Sequence, residues 1–180
     1  MKIDKAKILP LILTGIVVTI DQITKMIIAV NWPLHPTLIK DVFNNGFLWM
    51  YHVRNPNIAF SMGRNLPEQV KPVLFIVLPL VVLAVLVWYY FRSDDFTKLQ
   101  RWATAGILGG GIGNITDRIF RPYGVVDFIS VRLPDFFEPL FGPNPRWPTF
   151  NVADSSVVVC SILLFVTIII SSKRTKEETA

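Results

Sequence analysis

PVLFIVLPLVVLAVLVWYYF, residues 72–91, carries no charged side chain along its whole length. A helix needs about 20 apolar residues to cross roughly 30 Å of hydrocarbon, and this stretch has them. A helix in a soluble four-helix bundle keeps one polar face, and here there is none. Working outward, three more stretches qualify as spans. One covers about residues 8–30 and is interrupted by Asp21, Gln22 and Lys25. Another covers 102–119, apolar at first and polar at its end. The last covers 152–171, with Asp154 near its start. Backbone inside lipid must satisfy its own hydrogen bonds, so all four are expected to be helices. The predicted fold class is an α-helical integral membrane protein with four transmembrane helices. Its 180 residues form one membrane-embedded domain.

The composition agrees. Hydrophobic residues make up 52% and charged residues 17%, against about 25% charged in soluble domains, and the mean hydropathy is +0.47. Soluble globules, disordered chains and charge-driven nucleic-acid binders are excluded on these grounds. A single cysteine excludes a disulfide framework and a Cys-built metal site.

The net charge of +5 reads as topology. Lys and Arg number nine in the 26 residues of 1–7, 92–101 and 172–180, but seven in the 73 residues of 31–71 and 120–151. The denser side is cytoplasmic. Both termini are therefore expected inside and both long loops outside. Lys2, Lys5 and Lys7 before the first span resemble a signal peptide. The span's length, its Asp21 and Lys25, and the lack of a small-residue cleavage site after Val30 favour a retained helix. In the outer loops, residues 47–51 and 125–131 read as strands, which predicts a small extracytoplasmic sheet or platform. Trp32, Trp49 and Trp147 suit a membrane interface.

Ionisable groups at membrane depth are costly, so each asks for a reason. Asp21 and Lys25 stand one turn apart in the outer half of their span. They read either as a helix-stabilising pair with Lys25 snorkelling outward or as support for a nearby site. Asn114, Asp117 and Arg118 close the third span at i, i+3 and i+4, with Arg118 and Asp117 as an expected pair. A purely structural clasp is the competing reading. Just upstream, Gly109-Gly110-Gly111-Ile112-Gly113 lacks the preceding strand and following Lys of a phosphate loop. Gly106/Gly110 and Gly109/Gly113 instead read as small-residue pairs for close helix packing.

Two more acids fall at the outer boundary. Asp127 interrupts an apolar strand, Gly124-Val125-Val126-Asp127-Phe128-Ile129. Asp154 opens the fourth span in Phe150-Asn151-Val152-Ala153-Asp154-Ser155, with Asn151 three residues before it. Asn151 also suits an ordinary helix cap. Two carboxylates at one semi-buried site do not both ionise readily. One then serves as base and the other as acid, which is what activating water against a peptide carbonyl requires. Competing chemistries lack support. Cys160 sits within an apolar helix, no serine lies in a recognisable elbow, and His35 and His52 show no metal-ligand spacing. No metal or cofactor is expected.

Five pieces now stand in order: Asp21-Gln22-Ile23-Thr24-Lys25, Asn55-Pro56-Asn57-Ile58-Ala59-Phe60, Gly113-Asn114-Ile115-Thr116-Asp117-Arg118, Val125-Val126-Asp127-Phe128, and Phe150-Asn151-Val152-Ala153-Asp154-Ser155. Together they closely resemble bacterial lipoprotein signal peptidase, or signal peptidase II, over the whole chain. The resemblance implies an aspartyl protease of the bacterial inner membrane with its active site on the extracytoplasmic side. Its substrate would be a diacylglyceryl-modified prolipoprotein, cut before the lipidated lipobox Cys to free the signal peptide. It further implies Asp127 and Asp154 as the catalytic dyad. Asp21, Lys25, Asn55, Asn114, Asp117, Arg118 and Asn151 would support it. The fold implied adds a small β-cradle and an amphipathic periplasmic helix to the four spans. Partners would be the prolipoprotein and membrane lipid, with globomycin at the same site and no nucleic acid, the enzyme acting as a monomer.

Two features depart from the family pattern. Asn57 stands where the family usually has Gly, and Asn tolerates left-handed backbone better than most residues. Residues 133–149, between the two aspartates, are longer than the family needs. They leave open a flap, a platform resting on the membrane, or neither. Rival functions are a polytopic transporter and a non-catalytic assembly factor. A conduction path needs polar groups at several depths, and residues 72–91 supply none. In an assembly factor the polar cluster would only clamp helices.

Overall fold

The computed structural model describes residues 4–56, 66–67, 69–121 and 123–178, with side chains as far as residue 171. Asn57 and the rest of its motif, residues 58–60, lie outside the described residues. The order is α1 (Lys5–Ile8), α2 (Leu11–Asn31), β1 (Lys40–Asp41), β2 (Leu48–Asn55), a π-helical turn (Val73–Val77), α3 (Leu78–Arg92), α4 (Lys98–Phe120), β3 (Val125–Val131), a 3-10 turn (Asp135–Phe137), α5 (Glu138–Phe141) and α6 (Val152–Glu178). Three stretches are long and apolar enough to cross a membrane: Lys5–Asn31, Val73–Arg92 and Val152–Ser171. The chain is thus an α-helical membrane protein with a small antiparallel sheet. Among the described elements none is the amphipathic periplasmic helix that the resemblance implies. The π turn has a local cause. Pro79 has no N–H to return to the carbonyl one turn earlier, and the helix widens over Val73–Val77 before it.

The described residues fall into two compact units. One gathers the chain up to Asp21, Val77–Ile115 and the chain from Val152. Its centre is α4, which the other helices pack against through glycines. A Cβ on Gly106 would strike Cys160 of α6, and one on Gly110 would strike the Ala153 carbonyl. At Gly109 it would meet Val17 of α2, and at Gly111 Leu83 of α3. The small-residue pairs therefore set helix approach, as their spacing predicts. Hydroxyls add to the seams: Thr14 donates to the Ala105 carbonyl at 2.7 Å and Ser156 to the Gly106 carbonyl at 2.9 Å. Ala103, Ala105 and Leu108 of α4 are buried, while Val85, Trp88, Val159 and Phe165 of α3 and α6 are exposed. Apolar side chains thus turn outward on the outer helices, the arrangement lipid permits and water penalises.

The second unit comprises Gln22–Ile76 and Thr116–Asn151. It holds a three-stranded antiparallel sheet in the order β1-β2-β3. The β2 and β3 strands are those expected from residues 47–51 and 125–131. The two-residue β1 carried no pattern to find. Its Asp41 ties the β1–β2 connection by accepting from the Gly46 amide at 2.6 Å. Phe150 pairs with Ile129 beyond the third strand and delivers the chain to Asn151. Trp49 lies under the Arg146 guanidinium, 3.8 Å from its ring centre.

Candidate active site

In the sheet unit, register decides the neighbours of Asp127. Val53 lies opposite Asp127 and Asn55 opposite Val125. Asn55 is therefore the diagonal neighbour of Asp127 on one face, within reach of a polar side chain. Its amide donates to Asp127 Oδ2 at 2.9 Å. The Asn151 amide donates to Asp127 Oδ1 at 2.7 Å, so each carboxylate oxygen has an asparagine donor. Asp127 and Asn151 are both buried. Gly124 makes this approach possible: its φ is +88°, and a Cβ there would strike the Asn55 carbonyl.

Asp117 organises the rest of this unit. Its Oδ1 accepts from Gln22 and from Arg121, each at 3.0 Å. Its Oδ2 accepts from the Val126 amide at 3.1 Å and lies 3.3 Å from Lys25 Nζ. This corrects two expectations. Lys25 does not snorkel, since its side chain is fully buried against Asp117. Asp117 pairs with Lys25 and Arg121 rather than with Arg118. Successive residues on a helix point about 100° apart, whereas i and i+4 share a face. The Val126 bond joins this cluster to the strand one residue before Asp127.

Arg118 lines a cavity of about 200 Å³ with Lys71, Arg121, Phe75 and Gly124 among others. Burial, then the like charge of Arg121, draws the Arg54 guanidinium below its ordinary value, with Asp117 opposing. Arg121 and Gln22 were not singled out as functional in the sequence. The signal for Arg121 was present, since it stands four residues after Asp117.

In the helical unit, Asp154 lies in the first turn of α6. Asn114, from α4, donates to its Oδ1 at 2.7 Å. Asp21 accepts the Ala153 backbone amide at 2.9 Å, one of the unpaired donors at the start of α6. A Cβ on Gly113 would come within 2.6 Å of Asp21 Oδ2, so glycine there leaves room for the carboxylate. Asp21 thus fixes the helix start that carries Asp154. Asn151, the residue before α6, donates its amide to Asp127.

A sequence model described as signal peptidase (SPase) II matches residues 13–170. The chain belongs to the signal peptidase II family. Relatives within that family include the lipoprotein signal peptidase of Treponema pallidum (strain Nichols), 38% identical over 173 residues. That match covers 96% of this chain and 89% of the relative. The lipoprotein signal peptidase of Treponema denticola is 40% identical over 171 residues, covering 94% and 93%. A bacterial membrane enzyme solved by the in meso method superposes with a TM-score of 0.75 at 26% identity, over 92% of this chain and 90% of that one. Family membership makes the chain an aspartic-type peptidase.

Proposed function

We propose that this enzyme is a four-span lipoprotein signal peptidase of the bacterial inner membrane, with Asp127 and Asp154 as its catalytic dyad. α4 is the fourth span, both termini are cytoplasmic, and the active site faces the extracytoplasmic side. The substrate is a diacylglyceryl-modified prolipoprotein, cleaved before the lipidated Cys. The observation that carries this reading is that asparagine amides hold both acids, Asn55 and Asn151 on Asp127 and Asn114 on Asp154. An amide that donates to a carboxylate oxygen fixes where that group points.

In this mechanism one aspartate takes a proton from water as the oxygen attacks the scissile carbonyl. The other donates a hydrogen bond or proton to the carbonyl oxygen. Collapse of the tetrahedral intermediate breaks the C–N bond, and the amine leaves with a proton from the dyad. The shared proton belongs to the pair rather than to either residue. A signal peptide is itself an apolar helix and the acylated Cys is anchored in lipid, so the bond to be cut lies near the membrane surface.

The test is cleavage of a diacylglyceryl prolipoprotein by purified enzyme in detergent. Asp127→Asn and Asp154→Asn should each lower turnover by about 10²–10⁴-fold, the range for a lost acid or base. Their melting temperatures should stay near the parent's, and globomycin should compete with substrate. Full activity in either variant removes the dyad. Loss of folding in both variants favours the assembly-factor reading.

A further inference from the structure

Residues 133–149 play no part in the proposed chemistry, yet they are firmly built. Arg146 fixes their base. Its Nε donates to Ser130 Oγ at 2.8 Å, its Nη2 to the Ser130 carbonyl at 2.7 Å and its Nη1 to the Gly46 carbonyl at 2.8 Å, with the guanidinium stacked on Trp49. The Leu133 amide closes the neck onto the Pro145 carbonyl at 2.8 Å. Beyond the neck, the 3-10 turn and α5 present Phe136 and Leu140, which are 74% and 77% exposed. Phe137 stacks beneath Phe136, ring centres 4.3 Å apart, and holds that side chain outward.

We propose that this insertion is a membrane anchor whose Phe136–Leu140 tip sits in the lipid headgroup–acyl boundary beside the enzyme. Three observations support a lipid surface. The exposed tip is aromatic and aliphatic, the composition that favours this boundary. Its backbone offers fewer free donors than an ordinary loop: Pro134 and Pro139 have no N–H, and the Phe137 and Gly142 amides are bonded to the Pro134 and Glu138 carbonyls. Of the insertion's two acids, Asp135 is paired with Arg132 at 2.9 Å and Glu138 is exposed, which a headgroup-level position allows. The insertion belongs to a membrane protein, and Trp147 stands five residues before the α6 span. An apolar medium is thus a constant neighbour. The anchor would hold the sheet that carries Asp127 at constant depth. The proposal stands whether or not the dyad assignment does.

Nitroxide labels on Phe136→Cys and Leu140→Cys, in a Cys160→Ala background, test it. The full chain is reconstituted in vesicles of phosphatidylethanolamine and phosphatidylglycerol. Val159→Cys provides the lipid standard and Lys98→Cys the aqueous one. Expected is a severalfold higher ratio of oxygen to nickel-chelate collisions at both tip positions than at Lys98, shifted towards Val159. A ratio equal to that at Lys98 would overturn the anchor. So would protection from both reagents, which would mean that protein, a substrate or a second copy, covers the tip. Unlabelled Phe136→Ser/Leu140→Ser, still folded by thermal melt, should lose activity on vesicle-embedded substrate but keep it on the same substrate in detergent.

Discussion

Asp117 shows how one buried carboxylate can hold a neighbourhood together. Its two oxygens take Gln22, Lys25, Arg121 and the Val126 amide. Removing one partner of a buried ion pair is costly because the other charge keeps its desolvation penalty. Asp117→Asn should therefore lower stability in detergent by about 3 kcal/mol, and Lys25→Met added to it should recover part of that loss. Strict additivity of the two changes in a thermal melt would mean that the pair is not coupled. Asp94 gives a smaller, pH-dependent case. The hydrogen bond and charge of Lys7 hold its carboxyl below the usual range. A depressed folded value stabilises above the unfolded value of about 3.9 and is lost as pH falls through the folded one. Asp94→Asn should melt slightly below the parent at neutral pH and level with it in strong acid. A gap that persists in acid would assign the effect to something other than ionisation.

At the scale of elements, α4 is the most buried of the long helices. Its glycines give up apolar bulk so that α2, α3 and α6 can come close. Gly110→Ala places a methyl against the Ala153 carbonyl, a backbone atom that cannot swing away, and should cost about 1–3 kcal/mol. Gly15 in α2 has nothing within 4 Å of its Cβ position. Gly15→Ala should be neutral or stabilising by up to about 1 kcal/mol through helix propensity. Equal melting temperatures for the two variants would refute the packing argument. The same economy appears at the end of α3. Arg101, counted in the sequence only as a basic residue, reaches back to the Tyr90 and Ser93 carbonyls at 3.2 and 3.1 Å. It satisfies acceptors that the helix end leaves open.

For the whole molecule, the prediction concerns topology. With four spans, alkaline phosphatase inserted at Pro143 should be active, and fused after Glu178 inactive, with green fluorescent protein showing the reverse. Three spans would put the two positions out of step with this pattern. Hydropathy made the three apolar spans legible, because transfer of a side chain from water to lipid depends on that side chain and little else. The order of the five short motifs made the family legible. Strands β2 and β3 were readable from their apolar runs, but β1 was too short to show a period. Partner choice was out of reach of the chain read alone. Asp117 had Arg118 beside it in sequence and found Lys25 and Arg121 in space, and Asn151 met Asp127 from 24 residues away. Sequence determines what each residue is and how each segment partitions. Which donor meets which acceptor depends on strand register and helix rotation, and those are set by packing across the fold.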